Sequence, residues 1–351
     1  MPQHFLLSAK ARNLSPIAIA RMSEYEAVMV MKRLRWGDGD KVTCPRCGKQ
    51  HKAYFIKSRR QWQCKECQYR FSVTSGTLFA HHKLPLRDIL FACGLYVNAA
   101  KGISALQIAR DLDVQYKTAF VLLHKIKEAL KNYQVESFKK EANTGKKPLS
   151  GIIHMDATYV HSSRKPKNKK QDRIDRRLKQ HENPKKRAIL VMRDSFPKTE
   201  DPNLIGARRT MAFVAKSENS KVINDLANKH IEKGSTIHTD ESPAYDNLIY
   251  FHDLKRVNHQ QEYRSDEGVT NNLAESFFSR FKRMYYGQVH KMDNLYLHEY
   301  ANEIAYREDT RRMSNGEIFN DLVSRCLNNK PSDDWRGYWQ GNRRMAELLA
   351  A

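Results

Sequence analysis

The sequence predicts a mixed α/β (α+β) domain in its C-terminal half, preceded by a small metal-stabilised domain and a helical domain. Three observations predict this order. Two Cys-x-x-Cys pairs lie within residues 42–79. Apolar residues then recur at spacings of three and four over residues 84–135, which is the period of a helix. Short β-type runs alternate with helical runs over residues 150–260, and helix returns over residues 271–312.

The charge of the chain indicates a polyanionic partner. The 351 residues include 62 Lys and Arg against 39 Asp and Glu, a formal net charge of +23. This excess is larger than solubility needs, and bound phosphates would offset the self-repulsion of the folded chain. A hydrophobic content of 40% supports real cores in two or three domains and excludes general disorder.

Membrane insertion and secretion are not expected. No apolar run approaches the roughly 20 residues that cross a bilayer, and the apolar stretch near the N-terminus is too short for a secretory signal. We therefore expect a cytoplasmic, nucleoid-associated protein without a membrane partner.

A zinc site is predicted directly after an amphipathic helical stretch over residues 15–37. Cys44 and Cys47 form one pair, and Cys64 and Cys67 form the second pair after sixteen intervening residues. In a reducing compartment, this spacing favours a metal over disulfides. Two turns that each present two thiolates complete the tetrahedral shell of one structural Zn²⁺, with no open position for catalysis.

Basic and aromatic residues are interleaved around these cysteines. Lys and Arg side chains alternate there with Tyr54, Trp62 and Tyr69. This composition fits contact with nucleic-acid phosphates and stacking on bases. The alternative is a solvated basic face above an aromatic core.

A helix-turn-helix pattern follows within residues 102–126. Ser104 is expected near the N-cap of a first helix that buries Leu106 and Ala109, and a tight turn at Asp113 leads into the second helix. In such motifs the second helix enters the DNA major groove, and its first exposed residues contact base edges. The predicted reading residues are Gln115, Tyr116 and Lys117. A plain helical hairpin between two domains is the alternative.

Three carboxylates stand out in the alternating half. Asp156 lies near the centre of the first predicted strand, Asp240 ends the fourth strand, and Glu275 lies in the first turns of the last long helix. The element order βββαβαβα with acids at these positions is that of a ribonuclease-H-like fold. Three grouped carboxylates can hold two Mg²⁺ (or Mn²⁺) ions about 4 Å apart at a phosphodiester, because hard cations prefer oxygen ligands.

Two further side chains share the helix of Glu275. Lys282 lies seven residues beyond Glu275, two turns along the same face, where it can reach a phosphate beside the metal pair. Asn272 lies one turn before Glu275, where it either caps the helix or serves as an alternative third ligand. Each acid alone is more typical of an ordinary surface or capping residue. The combination favours a metal site.

A basic insert spans residues 164–187. It contains twelve Lys and Arg against three Asp and Glu, a net charge of +9. We predict that the insert binds flanking or target DNA through release of counterions. The side chains expected to contact DNA are Arg164, Lys165, Lys167, Lys169, Lys170, Arg173, Arg176 and Arg177.

Taken together, these motifs resemble those of bacterial insertion-sequence transposases of the DDE class, in the ISXO-type family with an N-terminal zinc ribbon. The resemblance runs from about Tyr25 to Arg312. It is carried, in this order, by CPRCGK, CKECQYRFSVTSGTLF, LPL, KGISALQIARDLDVQYKTA, MDATYV, HTDESPAY, NNLAESFFSRFKR and EYANEIAYRED. The chain departs from the family at Ala157, where members often have an acid, and at His161-Ser162-Ser163, where they often have a glycine pair.

The resemblance implies residue roles and an activity. Asp156, Asp240 and Glu275 would form the catalytic triad, with Lys282 as the accompanying basic residue and the four cysteines binding zinc. The implied activity is metal-dependent cleavage of a transposon end, followed by attack of the released 3′ hydroxyl on target DNA. The implied partners are double-stranded DNA, at terminal inverted repeats and at the target, and further copies of the chain in a homodimer or larger assembly.

Two other functions remain as alternatives. One is a DNA-binding regulator with a zinc ribbon, a helix-turn-helix and an inactive catalytic domain, against which the three intact acids and Lys282 argue. The other is a ribonuclease-H-like nuclease that cuts DNA without joining it, against which the sequence-reading N-terminal half argues.

The predicted domains follow from these motifs. They are an N-terminal helical segment over 1–40, a zinc ribbon over 41–80, a helix-turn-helix DNA-binding domain over 81–138, a ribonuclease-H-like DDE transposase domain over 148–312 and a C-terminal helical tail over 313–351. The main boundary falls in the Lys- and Gly-rich stretch 139–147, which has no periodicity.

Overall fold

The computed structural model describes residues 8–142, 148–160, 168–173, 183–196, 206–257 and 269–350. It consists of two compact units. The first unit contains Met1–Tyr133 and Arg312–Arg343, and the second contains Gln134–Arg311 and Arg344–Ala351. The predicted C-terminal tail therefore contributes residues to both units. No helix in the described ranges is long and apolar enough to span a membrane.

The helices and strands are as follows. The helices are α1 (Pro16–Ala20), α2 (Glu24–Trp36), α3 (Leu86–Asn98), α4 (Ala105–Asp111), α5 (Tyr116–Ala142), α6 (Ser220–His230), α7 (Asn272–Met284), α8 (Leu297–Asp309) and α9 (Asn315–Asn328). The strands are β1 (Val42–Thr43), β2 (Gln50–His51), β3 (Tyr54–Ile56), β4 (Gln61–Gln63), β5 (Arg70–Phe71), β6 (Ile152–Val160), β7 (Arg187–Ser195), β8 (Ala207–Ala215), β9 (Thr236–Thr239) and β10 (Asp253–Arg256). A 3₁₀ helix spans Pro243–Tyr250, and a π-helical turn follows α7.

The helical core of the first unit joins residues from both ends of the chain. A capping box starts α2, because Ser23 accepts a hydrogen bond from the Glu26 N–H while Glu26 accepts one from the Ser23 N–H. A second capping box, of Ser314 and Glu317, starts α9 in the same way. The buried faces of α2, α3 and α9 pack against one another. Residues near 320 thus complete the apolar core that α2 and α3 begin.

The zinc-ribbon region consists of two small antiparallel sheets, β1–β2 and β3–β4–β5. Its aromatic residues form a core under the second sheet. Trp62 is 5% exposed, and its ring meets Trp36 of α2 edge-on at 5.3 Å and lies 6.4 Å from Phe71. Because Trp62 is buried in this core, its ring is not at the surface and cannot stack on bases.

The pair α4 and α5 begins and turns as the sequence predicts. The Ser104 hydroxyl accepts a hydrogen bond from the Gln107 N–H at 3.1 Å and caps α4, and Asp113 takes a left-handed conformation (φ 51°) in the turn. One expectation was wrong, because Leu106 is 50% exposed. Ala109, which was also expected to be buried, is buried together with Ile108 on the inward face of this two-turn helix.

A mixed five-stranded sheet forms the centre of the second unit, with strand order β10-β9-β6-β7-β8. The long strands β6, β7 and β8 pair antiparallel, whereas β9 runs parallel to both β6 and β10. One face packs its apolar residues against α6 and the 3₁₀ helix, and the other packs against α7 and α8. The result is a three-layer α/β/α arrangement in which β6 is the central strand.

Candidate metal centres

The cysteine pairs converge on one point in the ribbon. All four sulfur atoms lie within 4.8 Å of one another, with Cys44 Sγ 3.7 Å from Cys67 Sγ and Cys47 Sγ 3.7 Å from Cys64 Sγ. Each pair lies in a tight turn, in which the Gly48 N–H donates to the Cys44 carbonyl and the Gln68 N–H donates to the Cys64 carbonyl. Gly48 has φ 71°, the left-handed conformation that the first turn requires.

Hydrogen-bond donors around the sulfur of Cys64 favour its ionised form. The backbone N–H of Cys67 and the side chain of His51 both contribute to lowering the pKa of Cys64 to about 6. His51 Nε2 lies 3.1 Å from Cys64 Sγ. His51 could not be predicted from the sequence, because a single His in a strand has no spacing signal. Four such sulfurs form the ligand set of a structural Zn²⁺.

The surface of the ribbon keeps part of the predicted basic and aromatic composition. Tyr54 and Tyr69 are exposed, and the Arg46 guanidinium lies 5.7 Å from the centre of the Tyr69 ring. Lys49 and Lys52 also lie on this surface, each in an exposed ion pair.

The second centre lies at the edge of the five-stranded sheet that is formed by the strand ends, where β9 ends beside the central strand β6. His154 of β6 pairs with His238 of the parallel strand β9, so Asp156 and Asp240, each two residues further along, reach the same level. Asp156 therefore lies on β6 beside the C-terminal end of β9, which Asp240 directly follows.

The helix α7 brings Glu275 to this edge. Asn271, which precedes α7 and is fully buried, donates a hydrogen bond from Nδ2 to the carbonyl of Met155 at 3.2 Å. This bond joins the start of α7 to β6 beside Asp156. Glu275 lies in the first turn of α7 and contributes to the electrostatic environment of Asp156.

The electrostatics of Asp156 reflect this grouping. Burial first, and then the charges of Asp240, Glu218 and Glu275, raise the pKa of Asp156 to about 7. The Ala157 N–H, 2.7 Å from Asp156 Oδ1, opposes the shift. Among the described residues, only the four cysteines bring three or more ligand atoms within 4.8 Å of one another, so the acids are grouped more loosely.

Glu218 is a fourth acid near Asp156, and it was not among the residues predicted from the sequence. It lies between β8 and α6, and its N–H donates to the Tyr159 hydroxyl at 3.3 Å. Burial raises the pKa of Glu218, and the charge of Asp240 adds to the rise. Its position just before the N-cap residue Asn219 made it indistinguishable from an ordinary loop acid in sequence.

The other predicted residues of this centre are at the surface. Lys282 is exposed on α7, and Asn272 is exposed at the first position of that helix. The cap position belongs to Asn271, whose side chain bonds to β6 instead of capping the helix. The structure thus places Asn271, not Asn272, in contact with the strand of Asp156.

The predicted DNA-contacting residues are exposed wherever they are described. Gln115, Tyr116 and Lys117 lie exposed at the start of α5. In the basic insert, Lys169, Lys170 and Arg173 are exposed in a short 3₁₀ segment. Arg164, Lys165, Lys167, Arg176 and Arg177 lie outside the described residues.

Comparison with known proteins matches two ranges of the chain to family models. Residues 148–309 match the ISXO2-like transposase domain, and residues 22–70 match the transposase zinc-ribbon domain. An uncharacterized protein in transposable element ISH50 of Halobacterium salinarum is 24% identical over 233 residues, which cover 65% of this chain and 70% of that protein. The Mos1 transposase paired-end complex with left transposon end is 12% identical over 68% of this chain and 78% of that chain, at a TM-score of 0.17.

Proposed function

We propose that the chain is an insertion-sequence transposase with a transposase zinc ribbon, and that it cuts and joins DNA at the acids of the second unit. The observation that carries this proposal is the convergence of Asp156, Asp240 and Glu275 at one edge of the sheet. Acids on the first strand, after the fourth strand and on the helix that follows fit a ribonuclease-H-like fold of the DDE class.

The donor set fits Mg²⁺ or Mn²⁺. Carboxylate oxygens are the ligands that these hard cations prefer. The raised pKa of Asp156 supports the fit, because burial and neighbouring acids oppose its ionised form and a divalent cation between them offsets that opposition. Asp156, Asp240 and Glu275 would hold two ions, which supply Lewis-acid activation of the phosphodiester and of the attacking hydroxyl group.

The protein's own residues would position the DNA for both reactions. The exposed ammonium group of Lys282 would bind a phosphate oxygen beside the acids. The buried Asn271 amide would hold α7, and with it Glu275, against β6. Cleavage of a transposon end and joining to target DNA are both in-line displacements at phosphorus, so one arrangement of acids serves both.

The first unit would recognise DNA. We propose that α4 and α5 act as a helix-turn-helix, with Gln115, Tyr116 and Lys117 at base edges of the terminal inverted repeats. The zinc ribbon would add phosphate contacts through its basic face, and the basic insert would bind flanking or target DNA. Because two ends must be brought together, a homodimer or larger assembly on DNA is part of the proposal.

A single assay separates this proposal from its two alternatives. The protein is incubated with a labelled inverted-repeat end, supercoiled target DNA and Mg²⁺. A joined product supports the transposase, cleavage without joining indicates a nuclease, and tight binding without reaction indicates a regulator.

Two variants assign the chemistry to the acids. Asp156→Asn should abolish cleavage and joining while end binding is retained. Asp225→Asn, an exposed acid on α6, is the matched control and should react as the unchanged protein does. If Asp156→Asn loses its fold by circular dichroism, or if it still reacts, the assignment of Asp156 is wrong.

A further inference from the structure

Hydrogen bonds made by the Glu218 backbone and by the next residue fix the position of Glu218 near the acids of the sheet. Its own N–H donates to the hydroxyl of Tyr159, which lies on β6 three residues beyond Asp156. The next residue, Asn219, accepts a hydrogen bond from the Val222 N–H at 3.0 Å and so starts α6. The Glu218 backbone is therefore tied both to the strand of Asp156 and to a helix.

The half-buried carboxylate of Glu218 has one oxygen atom without a hydrogen bond of standard geometry. Its Oε1 atom is buried and has no hydrogen-bond partner in the described parts of the chain. Leaving a buried charged oxygen unpartnered is unfavourable, so such an atom in a folded protein calls for an explanation. Neighbouring carboxylates add to the cost, since Asp240 raises the pKa of Glu218 in addition to burial.

Tyr245 provides a second and separate observation at the same place. It is 0% exposed, and its hydroxyl makes no hydrogen bond of standard geometry to a described residue, but it lies close enough to the Glu218 side chain to lower the pKa of that carboxyl. Burial first, and then the charges of Glu218, Asp156 and Asp240, raise the pKa of Tyr245 well above 10, so the phenol stays protonated. A buried, protonated phenol that interacts with three acids is a hydrogen-bond donor available to a carboxylate, and Glu218 is the one it contacts most directly.

The 3₁₀ helix that carries Tyr245 is joined to the Glu218 loop. Asn247 donates from Nδ2 to the Ser220 hydroxyl at 3.0 Å, which links this helix to the first residue of α6. Glu218 and Tyr245 are thus placed by one connected set of contacts, independent of α7 and Glu275.

We propose that Glu218 is a fourth carboxylate ligand of the divalent-cation site and that Tyr245 positions it by donating a hydrogen bond. This inference rests on the proposed function, because it assigns a further ligand to the same site. A cation would give the Glu218 oxygen its missing partner and neutralise repulsion among the four acids.

The test measures binding of Mn²⁺ alone to the full chain saturated with Zn²⁺ and free of DNA. Calorimetric titration and Mn²⁺ paramagnetic resonance give the affinity and the number of bound ions without any dependence on activity. Glu218→Gln should weaken Mn²⁺ binding by about 10-fold to 100-fold, and Tyr245→Phe by about 10-fold. Glu218→Asp should restore part of the affinity. Asp225→Asn is the control and should bind as the unchanged protein does.

Thermal unfolding separates a ligand from a merely structural acid. Without Mn²⁺, Glu218→Gln should unfold at the same or a higher temperature, because one of four mutually repelling charges is removed. With Mn²⁺, the rise in Tm should be smaller than for the unchanged protein. A lower Tm without Mn²⁺, or an unchanged Mn²⁺ affinity, overturns the proposal.

The Asp156→Asn variant separates this inference from the proposed function. If Asp156→Asn weakens Mn²⁺ binding and Glu218→Gln does not, only the assignment of Glu218 fails. If the unchanged protein shows no Mn²⁺ binding, the assignment of a metal site is wrong. The same holds if Asp156→Asn binds Mn²⁺ with the affinity of the unchanged protein. Either result overturns both proposals.

Discussion

Arg193 stabilises the second unit through a buried ionic contact, and its removal should be costly. The side chain is 1% exposed and pairs with Glu308 of α8 at 2.9 Å. It also donates to the Thr210 hydroxyl at 3.0 Å and to the Ser276 hydroxyl and Leu273 carbonyl of α7 at 2.8 and 2.5 Å. One guanidinium thus joins the sheet to both helices of one layer.

The change Arg193→Met keeps most of the apolar stem but leaves Glu308 and three other acceptors without this donor. Breaking a buried ion pair on one side typically costs about 3–5 kcal/mol. Arg280 and Arg311 also pair with Glu308 from partly exposed positions, which places the expected loss near 3 kcal/mol. Changing Glu308 to Leu as well should recover part of this loss, because the unpaired buried charge is then removed.

Urea unfolding can report on the two units separately. All four Trp residues (Trp36, Trp62, Trp335 and Trp339) belong to the first unit, so their fluorescence follows that unit. Circular dichroism follows both units. Arg193→Met should shift the circular-dichroism transition and leave the fluorescence transition in place.

A matched control uses an exposed ion pair. Arg256→Met breaks the surface pair with Asp246 and should cost less than about 1 kcal/mol. If Arg193→Met costs no more than this control, the buried pair does not stabilise the unit and the reasoning is refuted.

Three further predictions address other parts of the molecule. Cys64→Ser, or removal of zinc by a chelator, should unfold the ribbon and shift Trp fluorescence as the Trp36–Trp62 contact is lost; unchanged fluorescence would contradict a structural zinc. Neutralising six Lys or Arg of the basic insert should flatten the salt dependence of DNA binding, and an unchanged slope would exclude the insert from DNA contact. Burial raises the pKa of Asp309 from 3.8 to about 7, so between these pH values the folded state binds a proton that the unfolded state has lost, and stability falls as the pH rises from about 4 to about 7. Asp309→Asn should reduce the pH dependence of the unfolding free energy in urea by up to about 1.4 kcal/mol per pH unit. An unchanged pH dependence would contradict this prediction.

Features set by near neighbours could be predicted well from the sequence. The cysteine ligands follow from two local spacings, and the Ser104 cap and the turn at Asp113 depend on contacts within a few residues. The strands β6 to β9 and the helices α6 and α7 were placed from their apolar periodicity, because alternation and helical period are local properties of the chain.

Burial of single side chains was less predictable. Leu106 and Trp62 show why. The same apolar residue types occur on the exposed face of a short helix and in the core under a small sheet. Whether such a residue is buried depends on which neighbouring element packs against it. Trp62 is buried because Trp36, from another helix, packs against it.

The sequence by itself therefore determined the zinc ligands, the order of elements and three acids at positions typical of a catalytic centre. Only the tertiary structure placed Glu218, Tyr245 and Asn271 beside Asp156 and brought α9 into the core of the first unit. The physical reason is the separation along the chain between the residues that contact one another. Spacings, caps and periodicities arise from contacts between nearby residues, whereas these neighbours meet only because the parallel pairing of β6 with β9 and the packing of α7 bring distant segments to one edge of the sheet.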